Sequence, residues 1–431
     1  MILAAHAKRI FFCRLVAVLF LLLLTPYRLV AEEVIARGEK LSLDKCIDIA
    51  AKGHPQILSA QYNLEVFKSR IGQAKAGYFP QINWSADASR NASAFRPDLF
   101  NLYSHNLSLN QNLYDFNRVA GRVDIQTLAL EAARANLENI AINVILGAKL
   151  AYYQVLRATK AREISRETVK LFEERLETAK GFYEAGAKAV FDVTQAEVDL
   201  GNARVNLVRA DNAVIIAFVN LNNAMGMPGA PPYELGDDVS YRKGAVDLDE
   251  SLTKAFLNRT DLQSLLIQKE TAQKLIQLAR KDYLPSLTGS ANYGWSGEQF
   301  PLERGWNVGA LLSFNLFSGY LTKNQVGEAV AGLEVTRAGE QVLRQTIRLE
   351  VEQAVANLRA AEKSYDAAEI TVRQALENYE LAQGRYAAGV GVSLELSDAV
   401  VALGNAKLTL SGAIYDREEA AASLKRAMGE K

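Results

Sequence analysis

Four short stretches of the chain alternate apolar and polar residues with a period of two, the spacing of a strand with one apolar face. In 82–88, Ile82, Trp84, Ala86 and Ala88 alternate with Asn83, Ser85 and Asp87. In 107–113, Leu107, Leu109 and Leu113 alternate with Ser108, Asn110 and Asn112. In 287–295, Leu287, Ala291, Tyr293 and Trp295 alternate with Thr288, Ser290 and Asn292. In 306–316, Trp306, Val308, Ala310, Leu312, Phe314 and Leu316 alternate with Asn307, Ser313 and Asn315. The pattern predicts a hairpin over about 81–114, with strands near 81–91 and 103–114, and a second hairpin over about 286–316. A half-buried soluble sheet alternates in the same way. Two features favour a membrane barrel. The polar face is rich in Asn, Ser and Thr and nearly free of Lys and Glu. Strands of about ten residues also have the length of a transmembrane strand, and aromatic residues recur near their ends.

Four strands cannot close a barrel, and lipid tolerates no open sheet edge. In a membrane the chain must therefore oligomerise. Two copies give eight strands, with an interior filled by side chains; three give twelve, wide enough for an aqueous lumen.

Between and after the strands, Ala, Leu, Glu, Arg, Gln and Lys dominate, and all are good helix formers. The 9 prolines sit at 26, 55, 80, 97, 228, 231, 232, 285 and 301, with none from 98 to 227 and none after 301. Proline breaks helix interiors, so the proline-free spans permit very long helices. The pattern predicts helices over about 117–181, 190–225, 320–383 and 393–428, with a helix over 57–78 preceded by a short one at 43–52. A helix of 65 residues is nearly 100 Å long at about 1.5 Å per residue. The 57–78 and 190–225 helices, stacked end to end, match that length. A cylinder follows, in which continuous helices alternate with interrupted ones.

The chain repeats itself. Tyr78-Phe79-Pro80 matches Tyr283-Leu284-Pro285 at an offset of 205. Gly181, Tyr183 and Gly186 match Gly384, Tyr386 and Gly389 at an offset of 203. Leu200-Gly201-Asn202-Ala203 matches Leu403-Gly404-Asn405-Ala406, and Ala224-Met225-Gly226 matches Ala427-Met428-Gly429, at the same offset. Two copies of one unit account for the whole, with the loss of two residues falling between about 86 and 111.

Lys8, Arg9 and Arg14 precede an apolar run from Leu15 to Leu24, and Leu29-Val30-Ala31 offers a cleavage site. This predicts a secretory signal peptide over 1–31, since the run is short for a membrane helix. The expected division is a leader at 1–31, a first repeat at 32–228, a linker at 229–244 and a second repeat at 245–431.

Lys+Arg 49 against Asp+Glu 49 makes the full chain neutral. Removing the leader takes away Lys8, Arg9, Arg14 and Arg28 and no acid, leaving 45 basic and 49 acidic side chains and a net charge of −4. That balance argues against nucleic acid as a partner. The leader contains Cys13, so Cys46 becomes the only thiol and no internal disulfide is available. His54 lies at a helix break and His105 in a strand, neither with a partner at metal spacing. No nucleophile elbow or phosphate-binding glycine loop is present, so neither an enzyme nor a cofactor is expected. A periplasmic or surface coiled-coil interaction protein without a pore accounts for the helices but not for the four alternating strands.

The leader, the tandem repeat, the two Tyr-x-Pro segments and two turn motifs together carry a resemblance. The motifs are Tyr183-Glu184-Ala185-Gly186 followed by Phe191-Asp192-Val193, and Tyr386-Ala387-Ala388-Gly389 followed by Leu394-Glu395-Leu396. Over residues 40–429 the chain resembles the TolC-like outer-membrane efflux proteins. The resemblance implies a mainly α fold with a small β part: a homotrimer whose strands form a twelve-stranded outer-membrane barrel on a periplasmic helical tunnel. It implies an exit duct for efflux or type I secretion, surrounded by outer-membrane lipid. It also implies a periplasmic adaptor (membrane fusion) protein and an inner-membrane transporter as partners, and an equatorial position for the linker.

The tip turns at 182–190 and 385–393, with Tyr183, Gly186, Lys188, Gly389 and Gly391, are where the resemblance places adaptor docking. The glycines supply the backbone freedom that a reversal requires. Glu395 and Asp398 are three apart and share one helix face, so a three-fold axis turns each into a ring of carboxylates that favours cations. Favourable placement of acids in a first helical turn explains Asp192 and Glu395 equally well. The resemblance makes Asp192, Tyr386, Glu395 and Asp398 a periplasmic gate, with Asp192 pairing to Tyr386. Some family members lock the closed state with an arginine where this chain has Gly391; Lys188, in the other turn, is the candidate to replace it.

Overall fold

The computed structural model describes residues 35–93, 96–236 and 246–431; the expected leader and part of the expected linker lie outside them. The elements come in the order β1 (Lys40–Leu41), α1 (Leu43–Gly53), α2 (Pro55–Lys75), β2 (Gln81–Ser93), β3 (Arg96–Tyr114), α3 (Arg118–Glu184) and α4 (Val190–Ala224). Then follow β4 (Glu234–Leu235), α5 (Leu248–Asn258), α6 (Thr260–Arg280), β5 (Ser286–Gly297), β6 (Glu303–Ser313), α7 (Leu321–Ala387) and α8 (Ser393–Ala427). The fold is mainly α with a small β part.

Local chemistry sets the boundaries. The Ser42 hydroxyl accepts from the Lys45 N–H at the start of α1, and the His54 ring accepts from the Gln56 N–H ahead of Pro55 at the start of α2. The helix expected to reach Tyr78 ends at Lys75, and the last three residues, Ala76–Tyr78, tighten into a 3₁₀ turn. Its counterpart Lys281–Tyr283 does the same after α6. The following proline is the cause: it forces Phe79 and Leu284 into extended backbone, so the helix must release the chain early.

The four longer strands form one antiparallel sheet in the order β2-β3-β5-β6. Register puts Trp84, Leu107, Tyr293 and Trp306 in one row, and Asn83, Ser108, Asn292 and Asn307 in the next. In these rows one face is apolar and the other polar, and the Asn292 amide donates to Asn307 at 2.9 Å on the polar one. The register shifts between Asn91 and Ser93 and again in β3. A bulge between Asn112 and Tyr114 brings Tyr114 into register with Leu287.

The helices form a layer in the same order as the strands they adjoin. Near the sheet α2 packs on α3, α3 on α6 and α6 on α7; at the far end α4 packs on α3, α3 on α8 and α8 on α7. The 67-residue helices α3 and α7 run through both halves. Where the halves meet, a core of Leu41, Cys46, Tyr152, Leu221 and Met225 is fully buried. Burial pushes the Cys46 thiol up to about 12, which keeps it protonated and inert. The second repeat uses charge at this level: buried Arg259, at the position equivalent to His54, bonds Asp261 and Glu350. Among the described residues no helix is long and apolar enough to cross a membrane.

The interrupted helices abut end to end through glycine. After α4, Gly226 has φ +74°, and a Cβ there would stand 2.9 Å from His54 Cα. After α8, Gly429 has φ +79°, and a Cβ would stand 2.8 Å from the Asn258 carbonyl carbon. Gly229 has φ +87° but open space around it. Gly229→Ala should therefore cost only the left-handed backbone penalty of about 1–2 kcal/mol. Gly226→Ala should cost clearly more, because the overlap adds to that penalty. Thermal unfolding followed by far-UV circular dichroism compares the two; equal losses would contradict a close helix junction.

Candidate functional site at the helix tips

The turns between α3 and α4 and between α7 and α8 are built alike. In the first, Gly186 has φ +74°, its N–H donates to the Tyr183 carbonyl at 2.9 Å, and the Ala187 N–H donates to the Phe182 carbonyl at 2.9 Å. In the second, Gly389 has φ +76° and the corresponding bonds run to Tyr386 at 3.0 Å and from Val390 to Arg385 at 3.1 Å. Both are glycine-terminated helix ends that satisfy the last free carbonyls. Gly391 differs from the expectation. Its φ is not positive, and what it supplies is space: a Cβ there would stand 2.8 Å from the Tyr386 N atom. An arginine side chain at this position has no room while the turn keeps this shape.

The two turns touch. Lys188 donates to the Gly391 carbonyl at 3.2 Å, and its ammonium stands 5.7 Å from the centre of the Tyr386 ring. Lys188 thus bridges the turns through the backbone of the residue it was expected to replace. Tyr386 is 2% exposed, whereas its repeat equivalent Tyr183 is 49% exposed. The Tyr386 ring packs edge-on against Phe182, with centroids 5.6 Å apart. Among the described residues its buried hydroxyl makes no hydrogen bond of good geometry, although Ser393 lies close enough to lower its pKa. Burial first, and then the negative charge of Asp192, raise its pKa above that of an ordinary tyrosine. Asp192 therefore acts on Tyr386 through its field rather than through a hydrogen bond.

Asp192 lies in the first turn of α4 and is half-buried. Glu395, in the first turn of α8, is exposed and forms an ion pair with Arg385 at 3.4 Å across the turn. Its charge is thus partly offset within the chain. Asp398 is exposed one turn further on and makes no ion pair among the described residues.

Sequence reasoning missed the most buried charge at the tip. The Arg175 side chain on α3 is 1% exposed and pairs with Asp199 on α4. It donates also to the Ser393 hydroxyl at 2.7 Å and the Ser393 carbonyl at 3.1 Å, at the start of α8. The Ser397 hydroxyl donates to Asp199 at 2.7 Å, and the Gln195 amide donates to its other oxygen at 3.0 Å. Arg175 sits in the run Glu173-Glu174-Arg175-Leu176-Glu177, so charge does not single it out. Its phase does: it lies three residues after Phe172 and six after Val169, both buried in the tip core. Among the described residues no cluster of His, Cys, Asp and Glu is arranged to hold a metal ion.

Comparison with known proteins agrees with this geometry. The outer membrane efflux protein family matches residues 46–227 and 252–430, one segment in each repeat. Outer membrane protein TolC of Vibrio cholerae is 26% identical over 398 residues, spanning 88% of this chain and 89% of its own. Protein CyaE of Bordetella pertussis is 26% identical over 376 residues, spanning 84% of this chain and 78% of its own. The crystal structure of the outer membrane protein VceC from Vibrio cholerae superposes with a TM-score of 0.77 at 18% identity, covering 90% of this chain and 96% of that one. Its identity is low, so that likeness speaks for the fold alone. The family match spans both repeats, and the chain belongs to the outer membrane efflux protein family.

Proposed function

We propose that three copies of this chain assemble into an outer-membrane channel, a twelve-stranded barrel continuous with a periplasmic tunnel of helices. The channel is a passive exit duct for efflux or type I secretion. A periplasmic adaptor connects its tips to an inner-membrane transporter that supplies the driving force.

One observation carries this reading: sheet and helix layer are open at matching edges. Strand β2 and helices α2 and α4 lie at one edge, and β6 and α7 at the other. Exposed apolar residues recur at heptad spacing on both helical edges, with Val198, Val205 and Val219 on α4 and Val335, Val342 and Leu349 on α7. Such stripes are the seams of coiled coils. Joining edge to edge buries the stripes and pairs the strands in one movement. Three copies then give a lumen; two give a filled barrel.

In that assembly the row Trp84–Leu107–Tyr293–Trp306 meets lipid, and the row Asn83–Ser108–Asn292–Asn307 lines the pore. Cargo crosses a wide polar lumen by diffusion and no covalent step is needed. The tips control entry. Asp192, Tyr386, Glu395 and Asp398 form the constriction, with Glu395 tempered by Arg385. Exposed Phe191, Val390, Val392 and Leu394 beside the turns at Gly186 and Gly389 offer apolar contact to the adaptor.

Two outcomes test the reading. The parent protein should run as a heat-resistant oligomer in the outer-membrane fraction, and Val342→Asp, which places a charge in the proposed helix seam, should abolish it. An unchanged oligomer would overturn the interface. Asp192→Ala should raise ion conductance in planar bilayers several-fold; unchanged conductance would remove Asp192 from the gate.

A further inference from the structure

The tip core that joins the two helical hairpins is largely apolar. Phe172, Leu200, Leu396 and Val400 pack together without directional bonds. Apolar contacts of this kind tolerate sliding. The polar group set among them does not.

Arg175 and Asp199 belong to the α3–α4 hairpin, while Ser393 and Ser397 belong to the first two turns of α8. Ser393 and Ser397 are each 5% exposed, and Arg175 is 3% exposed. From this group three bonds cross between the hairpins: Arg175 to the Ser393 hydroxyl at 2.7 Å, Arg175 to the Ser393 carbonyl at 3.1 Å, and Ser397 to Asp199 at 2.7 Å. The ion pair itself stays within one hairpin. A displacement of α8 by little more than an ångström breaks all three crossing bonds, since hydrogen bonding fails beyond about 3.5 Å. It also leaves buried charges short of partners, which is costly.

The second repeat has no equivalent. At the offset of 203, Asn378 stands for Arg175, Ala402 for Asp199, Val190 for Ser393 and Thr194 for Ser397. The knot is therefore not a by-product of the repeated fold. It fastens the start of one particular helix, the one that carries Glu395 and Asp398.

We propose that the buried Arg175–Asp199 pair, bonded to Ser393 and Ser397, is an internal latch that holds the start of α8 against the α3–α4 hairpin and so keeps the tip closed. This rests on the gated-channel reading. The four are positioning residues: they act by setting where Glu395 and Asp398 stand. The latch is held within one copy, so its release does not require the copies to separate.

The test uses the full-length protein in planar bilayers. Ser393→Ala with Ser397→Ala removes the side-chain ties and leaves the ion pair intact. Losing two hydrogen bonds should raise open probability by roughly ten- to thirtyfold, while the oligomer keeps its heat resistance. Ser397→Thr, which keeps the hydroxyl, should restore most of the closure in the Ser393→Ala background. Asp199→Asn, which preserves volume, should open the channel as well and serves if the threonine fails to assemble. The proposal is overturned if the double alanine variant conducts like the parent while Asp192→Ala raises conductance. It is overturned too if threonine opens the channel as far as alanine does, since packing rather than hydrogen bonding would then be at work. If Asp192→Ala is silent and the double alanine variant opens the channel, the latch stands and the role given to Asp192 falls.

Discussion

Hydrocarbon offers no partner to a backbone N–H or C=O, and each group left unsatisfied there costs several kcal/mol. A four-stranded sheet has two edges. In this chain they are β2 and β6, and neither is covered by another element of the sheet. In the proposed assembly both edges are closed at once by further copies. The helices keep the order of the strands, so a partner that pairs with β6 also meets α7. Each repeat supplies two of the four strands, and the repeats lie side by side in the sheet.

The two repeats carry equivalent turns with unlike surroundings. Tyr386 is sealed in the tip core while Tyr183 is half exposed. Lys188 reaches across to the backbone of Gly391. Arg175 and Asp199 place a buried ion pair in one hairpin only. At the level where the halves meet the asymmetry is reversed. There the second repeat holds the charged group, Arg259 with Asp261 and Glu350, and the first holds His54. Burial alone would raise the pKa of Asp261, but the guanidinium beside it holds the carboxyl below the ordinary range. One end of the tunnel is thus fastened through one repeat and the middle through the other.

Much of this was legible in the sequence because it follows from backbone rules. Proline absence marks the spans filled by the 67-residue helices, and period-two alternation marks the faces of the sheet. Three things were not legible, for physical reasons. The bulge at Asn112 to Tyr114 depends on the partner strand, which alternation within one strand does not describe. The constraint at Gly391 is the nearness of Tyr386 backbone, and a glycine letter does not distinguish want of space from need of a left-handed angle. Arg175 hides in a charged run, and only its phase relative to Val169 and Phe172 reveals a buried guanidinium.

Closure by three copies is the claim on which the pore, the lumen and the gate all depend. Native mass spectrometry of the detergent-extracted protein counts the copies directly. The account predicts particles of three chains. Particles of one, two or four chains would contradict it.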